Sequence, residues 1–214
     1  MRKKQFHVMI TGAGGFIGGN LSNYLSSKYK IVAYYNSRLR VKIKKKIKIK
    51  KKNLKKIKKI DKNIKVLIHC ASVVPPGNKQ TNCFKTNTLM DAALIRAVKN
   101  SQIKKIIFLS NVSVYGIKKN RIIYEDSIFS KPDLYGLSKK IGELNFKKIL
   151  NEKNIKVIVL RLSTVVGKNC HSTFLSRLSE NIKMMNKINI YNPKSYYNSC
   201  IHISNLYIII NKLI

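Results

Sequence analysis

The sequence predicts an α/β protein: a doubly wound parallel sheet with helices on both faces. Three observations carry that expectation. Short apolar runs alternate with stretches of helical periodicity along its 214 residues, the pattern of repeated βαβ units. A glycine-rich turn, Thr11-Gly12-Ala13-Gly14-Gly15-Phe16-Ile17-Gly18-Gly19, joins the first apolar run to the first helical stretch. Farther on, Tyr135 and Lys139 stand four residues apart, which puts them on one face of a helix.

The elements follow in order. His7-Val8-Met9-Ile10 reads as a buried first strand, at 6–10, and a helix follows at 16–28. A second strand is expected at 30–35 and a third at 46–51, where Lys46-Ile47-Lys48-Ile49-Lys50 alternates as a half-buried strand does. Between them the usual crossover helix is missing, and a helix is placed instead at 54–61. A strand at 65–71 leads to a helix at 85–101, with Leu89, Ala92, Ala93 and Val98 at the spacing of a buried face. Strands at 105–110 and 156–161 and helices at 136–152 and 173–187 complete the alternation.

A chain of this length can hold one good-sized core. Its formal net charge is +36, from 44 basic and 8 acidic residues. Twelve of the eighteen residues at 42–59 are lysine, and like-charge blocks of this kind are often disordered. A polyanion partner is the obvious inference. Two features oppose it. The excess is lysine that travels with abundant Ile and Asn, as an AT-rich coding sequence would produce. No aromatic residue interleaves the densest lysines to stack on bases. Salt-sensitive sticking to polyanions is expected, but no specific nucleic-acid partner. Cys70, Cys83, Cys170 and Cys200 show no metal-ligand spacing, and no metal site is expected. Cys70 and Cys200 border apolar strands and read as buried thiols in a reducing cytoplasm. His7, His69, His171 and His202 are scattered and read as structural. Met1-Arg2-Lys3-Lys4 before an apolar run is not read as a signal peptide, because the glycine turn begins too soon. Leu206 to Ile214 is apolar but too short to span a bilayer.

The glycine turn carries chemistry. Strand, glycine turn and helix form the dinucleotide-binding context. Glycines let the backbone approach a pyrophosphate, and the helix start at Phe16 and Ile17 offers N–H groups and a positive dipole end. Read from Gly12, G-x-G-x-x-G fails at Ile17, whereas G-x-x-G-x-x-G fits at Gly12, Gly15 and Gly18. The Tyr135/Lys139 pair suits proton transfer. A free phenol titrates near ~10 and a neighbouring ammonium favours its phenolate, so the pair could take a proton from a sugar or alcohol hydroxyl.

Turn and pair together resemble the extended short-chain dehydrogenase/reductase family, its NAD-dependent epimerase/dehydratase group. Val66-Leu67-Ile68-His69-Cys70-Ala71-Ser72 resembles the fourth strand with its "HxAA" end. Asn87 matches the asparagine that opens the next helix. Phe108-Leu109-Ser110-Asn111-Val112-Ser113-Val114-Tyr115-Gly116 resembles the strand that carries the catalytic Ser/Thr and ends in "VYG". Glu125 to Pro132 resembles the lead-in to the catalytic tyrosine, Val157 to Arg161 the sixth strand, and Ile201-His202-Ile203-Ser204-Asn205-Leu206 the "HVDDL" segment near the substrate.

The resemblance implies a Rossmann-type domain over 1–165 and a partial substrate-binding region over 166–214, a truncated form of the usual C-terminal lobe. It implies NADP or NAD as cofactor, a nucleotide-sugar substrate and, as a candidate assembly, a homodimer. Tyr135 would be the general acid/base, and Lys139 would tune it and bond the nicotinamide ribose. Asn87 would brace the central strands or the cofactor loop. Ala71 and Ser110 fall on the family's cofactor-side strand ends, Ser110 in a structural part. NAD-using members end the second strand in an acid that bonds the ribose 2′-hydroxyl. Here Tyr34-Tyr35-Asn36-Ser37-Arg38 fills that place, and no acidic residue precedes Asp61. Asn36 beside Arg38 fits a 2′-phosphate, which favours NADP. Asn53 and Leu54 occupy the place of the family's adenine-contacting "gDl".

Asn111 stands where the family has its catalytic Ser/Thr. An amide also donates and accepts, with longer reach and through separate atoms, and Ser113, two residues on, lies on the same strand face. Val112-Ser113 replaces the Asp-Glu pair of the family's 4,6-dehydratases, which favours epimerisation or carbonyl reduction. Asn198 replaces the Arg that grips the substrate diphosphate. The sequence thus points to an NAD(P)-dependent epimerase or reductase of nucleotide-linked sugars. A catalytically impaired dinucleotide binder is the alternative.

Overall fold

The computed structural model describes residues 6–74, 80–116, 122–170, 173–189 and 199–214. Met1 to Lys4, His171 and Asn198 lie outside them. Six strands, β1 (His7–Thr11), β2 (Lys30–Tyr35), β3 (Lys48–Lys51), β4 (Ile64–His69), β5 (Lys105–Asn111) and β6 (Lys156–Leu162), form a parallel sheet in the order β3-β2-β1-β4-β5-β6. The order reverses between β1 and β4, the crevice where such sheets bind nucleotides. A two-stranded parallel ribbon joins β7 (Thr164–Val166) to β8 (Cys200–His202).

Both faces of the sheet are covered. On β1, Val8 and Ile10 point to one side and Met9 to the other, as a period of two requires. One core joins Met9, Leu67 and Phe108 to α2 (Gln80–Lys99) and α3 (Leu134–Lys153) through Leu94, Val98 and Phe146. The other joins Val8, Ile10 and Ile68 to α1 (Phe16–Leu25) and α5 (Ile203–Leu213) through Leu21, Leu25, Leu206 and Ile210. Tyr24 of α1 stacks on Tyr207 of α5, ring centroids 5.3 Å apart. A fourth helix, α4 (Phe174–Lys183), opens on a Thr173/Ser176 capping box.

Several elements differ from the sequence expectation. The helix expected at 54–61 is a single 3-10 turn, Leu54–Lys56. Lysines at i and i+4 repel there, and the extended chain beyond lets Ile57 and Ile60 reach the core. Helix α2 begins at Gln80 and turns Met90, Ala93, Leu94 and Val98 inward, leaving Leu89 48% exposed. Leu89 therefore does not belong to the buried face. Helix α5 was read only as an apolar run, although Ile203, Leu206 and Ile210 share one face. Cys200 is exposed rather than buried, while Cys70 is enclosed enough that burial pushes its thiol up to about 12. The lysine-rich segment is ordered around inward-facing Val41, Ile47, Leu54, Ile57 and Ile60, and Lys50 pairs with Asp61 at 2.9 Å.

A buried ion pair ties α3 to the sheet. Arg161 on β6 donates to Glu143 through Nε (3.0 Å) and Nη2 (2.8 Å), and Ser110 on β5 donates to the same carboxylate. Burial alone would raise the Glu143 carboxyl, but the Arg161 and Ser110 hydrogen bonds hold it below its ordinary value. Its stabilising contribution is therefore present above the unfolded carboxylate range, ~4.3, and is lost as the pH falls through the lower folded value. Glu143→Ala should cost on the order of 3 kcal/mol by stranding Arg161. Urea unfolding at pH 7 should show the loss, and an unchanged midpoint would contradict the pairing.

Candidate active site

The glycine turn follows β1 at the centre of the sheet. Gly12 has φ +72°, and a Cβ there would lie 2.7 Å from the Ala71 nitrogen, so the ends of β1 and β4 approach as closely as backbone allows. A Cβ on Gly18 would fall 2.4 Å from the Gly12 carbonyl oxygen, which seats α1 against the turn. Gly15 differs. Its φ of −91° is open to any residue, and a Cβ would meet only the Gly12 oxygen, at 3.4 Å. Gly15 is the N-cap of α1 and no side chain caps that helix, so the start at Phe16 and Ile17 is furnished for an anion. This open cradle fits a dinucleotide pyrophosphate.

The chain after β2 folds back over the turn. Arg40 N–H donates to the Gly14 carbonyl at 3.1 Å, and the Arg38 carbonyl lies where a Gly14 Cβ would be. Asn36 and Arg38 are exposed beside it. Asn53 is exposed and caps the 3-10 turn, accepting from Lys55 N–H at 3.1 Å, while Leu54 is buried in the core.

On the other side of the crevice, Asp133 caps α3 by accepting from Gly136 N–H at 2.7 Å, which sets Tyr135 in the first turn. Burial is the largest influence on Tyr135 and raises its phenol above the ordinary value; Ser72 pulls it down, and Cys83 and Asp133 push it up. Lys139, one turn on, is 3% exposed, and its Nζ lies 4.4 Å over the Phe108 ring. Burial lowers its pKa, and Asp91 leads the groups that oppose the shift. Lys139 is not among the groups that move the phenol in the ligand-free chain; its head lies over Phe108.

Buried polar bonds hold this side together. His69 bridges Thr11 Oγ1 (2.6 Å) and Asp91 Oδ1 (2.8 Å), and Ala71 N–H donates to Thr11 Oγ1 at 3.3 Å. Asn87 accepts from Val73 N–H at 2.8 Å and donates to the Val73 carbonyl at 3.1 Å and to Ser138 Oγ at 3.2 Å. Ser138 donates in turn to the Tyr135 carbonyl at 2.7 Å.

Asn111 turns its amide oxygen back on its own chain. It accepts from Ser113 N–H at 2.8 Å and caps the 3-10 turn Val112–Tyr115. Ser110 Oγ donates to the Glu143 carboxylate. The hydroxyls of Ser113 and Ser72 are buried and have no hydrogen-bond partner among the described residues. The Ser113 carbonyl packs on the first turn of α3, where a Gly136 Cβ would fall. Ser72 ends the β4 motif, and its hydroxyl stands where the family pattern carries alanine, which is the sequence signal for it. His202 caps α5, its Nδ1 2.8 Å from Ser204 Oγ. A groove of about 850 Å³ runs along β6 past Tyr115, Arg161 and Ile201 and is not lined by the glycine turn or Tyr135. No cluster that could hold a metal ion occurs among the described residues, and no helix there is long and apolar enough to cross a membrane.

A parallel sheet with an open glycine turn at its topological switch point, and a helix carrying Tyr-x-x-x-Lys packed on the same sheet, is a Rossmann-type α/β architecture. The chain belongs to the NAD dependent epimerase/dehydratase family, whose model matches residues 8–206. It is 24% identical over 188 residues to a UDP-glucose 4-epimerase of Vibrio cholerae, covering 82% of this chain and 56% of the relative. Among solved structures, an NAD-dependent NDP-hexosamine 5,6-dehydratase of tunicamycin biosynthesis superposes with a TM-score of 0.87 at 20% identity, over 98% of this chain and 72% of that one. A UDP-glucuronic acid 4-epimerase of Bacillus cereus in complex with NAD gives 0.81 at 22% identity, over 94% and 70%. At these identities the structural likeness shows the fold. The chain spans 56 to 66% of the length of the first curated relatives it matches.

Proposed function

We propose that the chain is an NAD(P)-dependent epimerase or reductase acting on a nucleotide-linked sugar. The observation that carries the proposal is the open Gly15 cradle at the switch point of the sheet, together with the bonded path that ties the loop after β4 through Asn87 and Ser138 to the Tyr135 carbonyl. Phe16 and Ile17 N–H groups would hold the pyrophosphate of the dinucleotide, which supplies hydride uptake and return when bound. Tyr135 Oη exchanges the proton of the reacting sugar hydroxyl. Lys139 contributes a fixed positive charge one helical turn away, and the Asn87–Ser138 bonds keep the Tyr135 turn in register with the loop after β4. Val112 and Ser113 carry no acid to protonate a leaving hydroxyl, which favours epimerisation or carbonyl reduction over dehydration. In this proposal residues 166–214 serve the substrate end, and the lysine-rich segment is a solvated edge with no specific nucleic-acid role.

The test is to incubate the protein with NAD or NADP and a panel of UDP- and dTDP-sugars and to resolve the products by chromatography. An epimer or a reduced sugar supports the proposal. Dinucleotide binding without turnover of any sugar would instead support the impaired binder, which the engagement of Asn111 with its own backbone favours.

NADP should bind more tightly than NAD, because Arg38 and the absence of an acid after β2 suit a 2′-phosphate. Arg38→Ala should weaken NADP about tenfold, the scale of one charged hydrogen bond, and leave NAD nearly unchanged. Calorimetric titration reads both; tighter NAD binding by the parent protein would contradict the preference.

A further inference from the structure

We propose that Ser72 is the hydroxyl that shares the reacting proton with Tyr135, a role that the amide at position 111 does not fill. The proposal rests on Tyr135 being the acid/base group. Three observations carry it.

First, the Asn111 carboxamide is occupied. Its oxygen accepts from Ser113 N–H at 2.8 Å, and releasing it would uncap the turn that follows β5.

Second, the Ser72 hydroxyl is buried without a hydrogen-bond partner among the described residues. A buried polar group left unpaired is destabilising, and a ligand oxygen would satisfy it. Ser72 stands beside the Tyr135 phenol and favours its ionised form, though in the ligand-free protein the two close no hydrogen bond of good geometry. Bonds of this kind often tighten only around a substrate.

Third, the chain on either side of Ser72 is pinned. Ala71 N–H is held by Thr11, which His69 and Asp91 hold in turn. Both backbone groups of Val73 are held by Asn87. Asn87 reaches Ser138, and Ser138 reaches the Tyr135 carbonyl. A continuous hydrogen-bonded path therefore fixes Ser72 relative to the helical turn that carries the phenol. Such rigidity is what a proton-transfer contact needs and a solvent-facing loop does not.

The proton balance is simple. Ser72 Oγ–H donates to the Tyr135 phenolate. When the substrate O–H bond breaks, its proton passes to Tyr135 Oη, and Ser72 turns to accept from the phenol or to bond the substrate oxygen. Ser72 keeps its own hydroxyl proton throughout, and the substrate proton ends on Tyr135 Oη. The other groups that act on the phenol are Cys83 on α2 and Asp133 at the start of α3, which oppose ionisation; the Lys139 ammonium, one turn along α3, lies over Phe108 instead.

The experiment has two arms. In the first, tyrosine labelled with carbon-13 at the phenolic carbon is titrated by NMR in the ligand-free protein, with Tyr135→Phe assigning the resonance. Ser72→Ala should move the Tyr135 titration to higher pH, and Asn111→Ala should leave it in place. An unmoved titration in Ser72→Ala, or an equal shift in Asn111→Ala, would overturn the proposal. In the second arm, turnover of a nucleotide sugar should fall about a hundredfold in kcat in Ser72→Ala, the scale of one lost hydrogen bond at a reacting centre. KM should change little, and Ser72→Thr should restore most of the rate. Full activity of Ser72→Ala would overturn the proposal. A shifted titration in a protein that turns over no nucleotide sugar would uphold the Ser72–Tyr135 pairing and count against the proposed function.

Discussion

Gly15→Val is expected to abolish dinucleotide binding in a protein that still folds. Gly15 has an extended backbone that valine adopts readily, and a Cβ there meets nothing closer than 3.4 Å. The cost to the fold is therefore that of an apolar N-cap, about 1 kcal/mol. The outward side of the same position is the start of α1, where an anion would take the N–H groups of the first turn. A branched side chain there excludes a pyrophosphate sterically. Gly12→Val and Gly18→Val would not make the same test. Their Cβ atoms would collide with the Ala71 backbone and the Gly12 carbonyl, so loss of binding would be confounded with loss of fold. Calorimetry with NAD and NADP, beside a circular dichroism melt, separates the two effects. Retained affinity in folded Gly15→Val would place the cofactor elsewhere.

Tyr135→Phe is expected to lower turnover by about a thousandfold, within the range of a lost general acid/base, without weakening cofactor binding. The ring remains in its half-buried place and only the exchangeable proton is removed. The phenol's raised pKa adds a sign. A phenol whose pKa lies above the ordinary ~10 is protonated at neutral pH, so it is a ready proton donor and a reluctant base. Oxidation of a sugar hydroxyl, which needs the phenolate, should accelerate as the pH rises above neutral. Carbonyl reduction, which needs the phenol, should not. Initial rates in both directions between pH 6 and 10 check this, and a pH-independent oxidation would assign the proton to another group.

Much of this site was legible in the residues. Strand, glycine turn and helix each have a local cause, so the cradle at Gly12, Gly15 and Gly18 could be placed from spacing alone. Strand β2 coincided with its expected bounds, and the central strands did so within two residues, because a buried parallel strand is a plain apolar run. What failed depended on distant contacts. Leu89 and Met90 are adjacent and both apolar, and only the packing of α2 on its neighbours decides which one faces inward. Lysine repulsion reduced the helix at 54–61 to one turn, although its apolar spacing was right. Helix α5 carries three successive isoleucines, Ile208 to Ile210, which read as strand or tail until α1 supplies a partner surface. The electrostatics of Tyr135 and Lys139 were inferred from their spacing, which is correct as geometry. Enclosure, which spacing does not report, is the largest influence on the phenol, and the Lys139 ammonium lies over Phe108. Asn111 and Ser72 show the same lesson. One matches the family's catalytic position and is turned onto its own backbone; the other ends a strand motif and leaves a buried hydroxyl beside the phenol.

The most direct test of the account is the absorbance near 340 nm when a nucleotide sugar is mixed with the protein and its oxidised cofactor. Reduced nicotinamide should appear with the parent protein, faster at higher pH, and should not appear with Tyr135→Phe loaded with the same cofactor. An equal signal from both proteins, or none from the parent with any nucleotide sugar that binds, would contradict Tyr135 as the acid/base of a nucleotide-sugar oxidation.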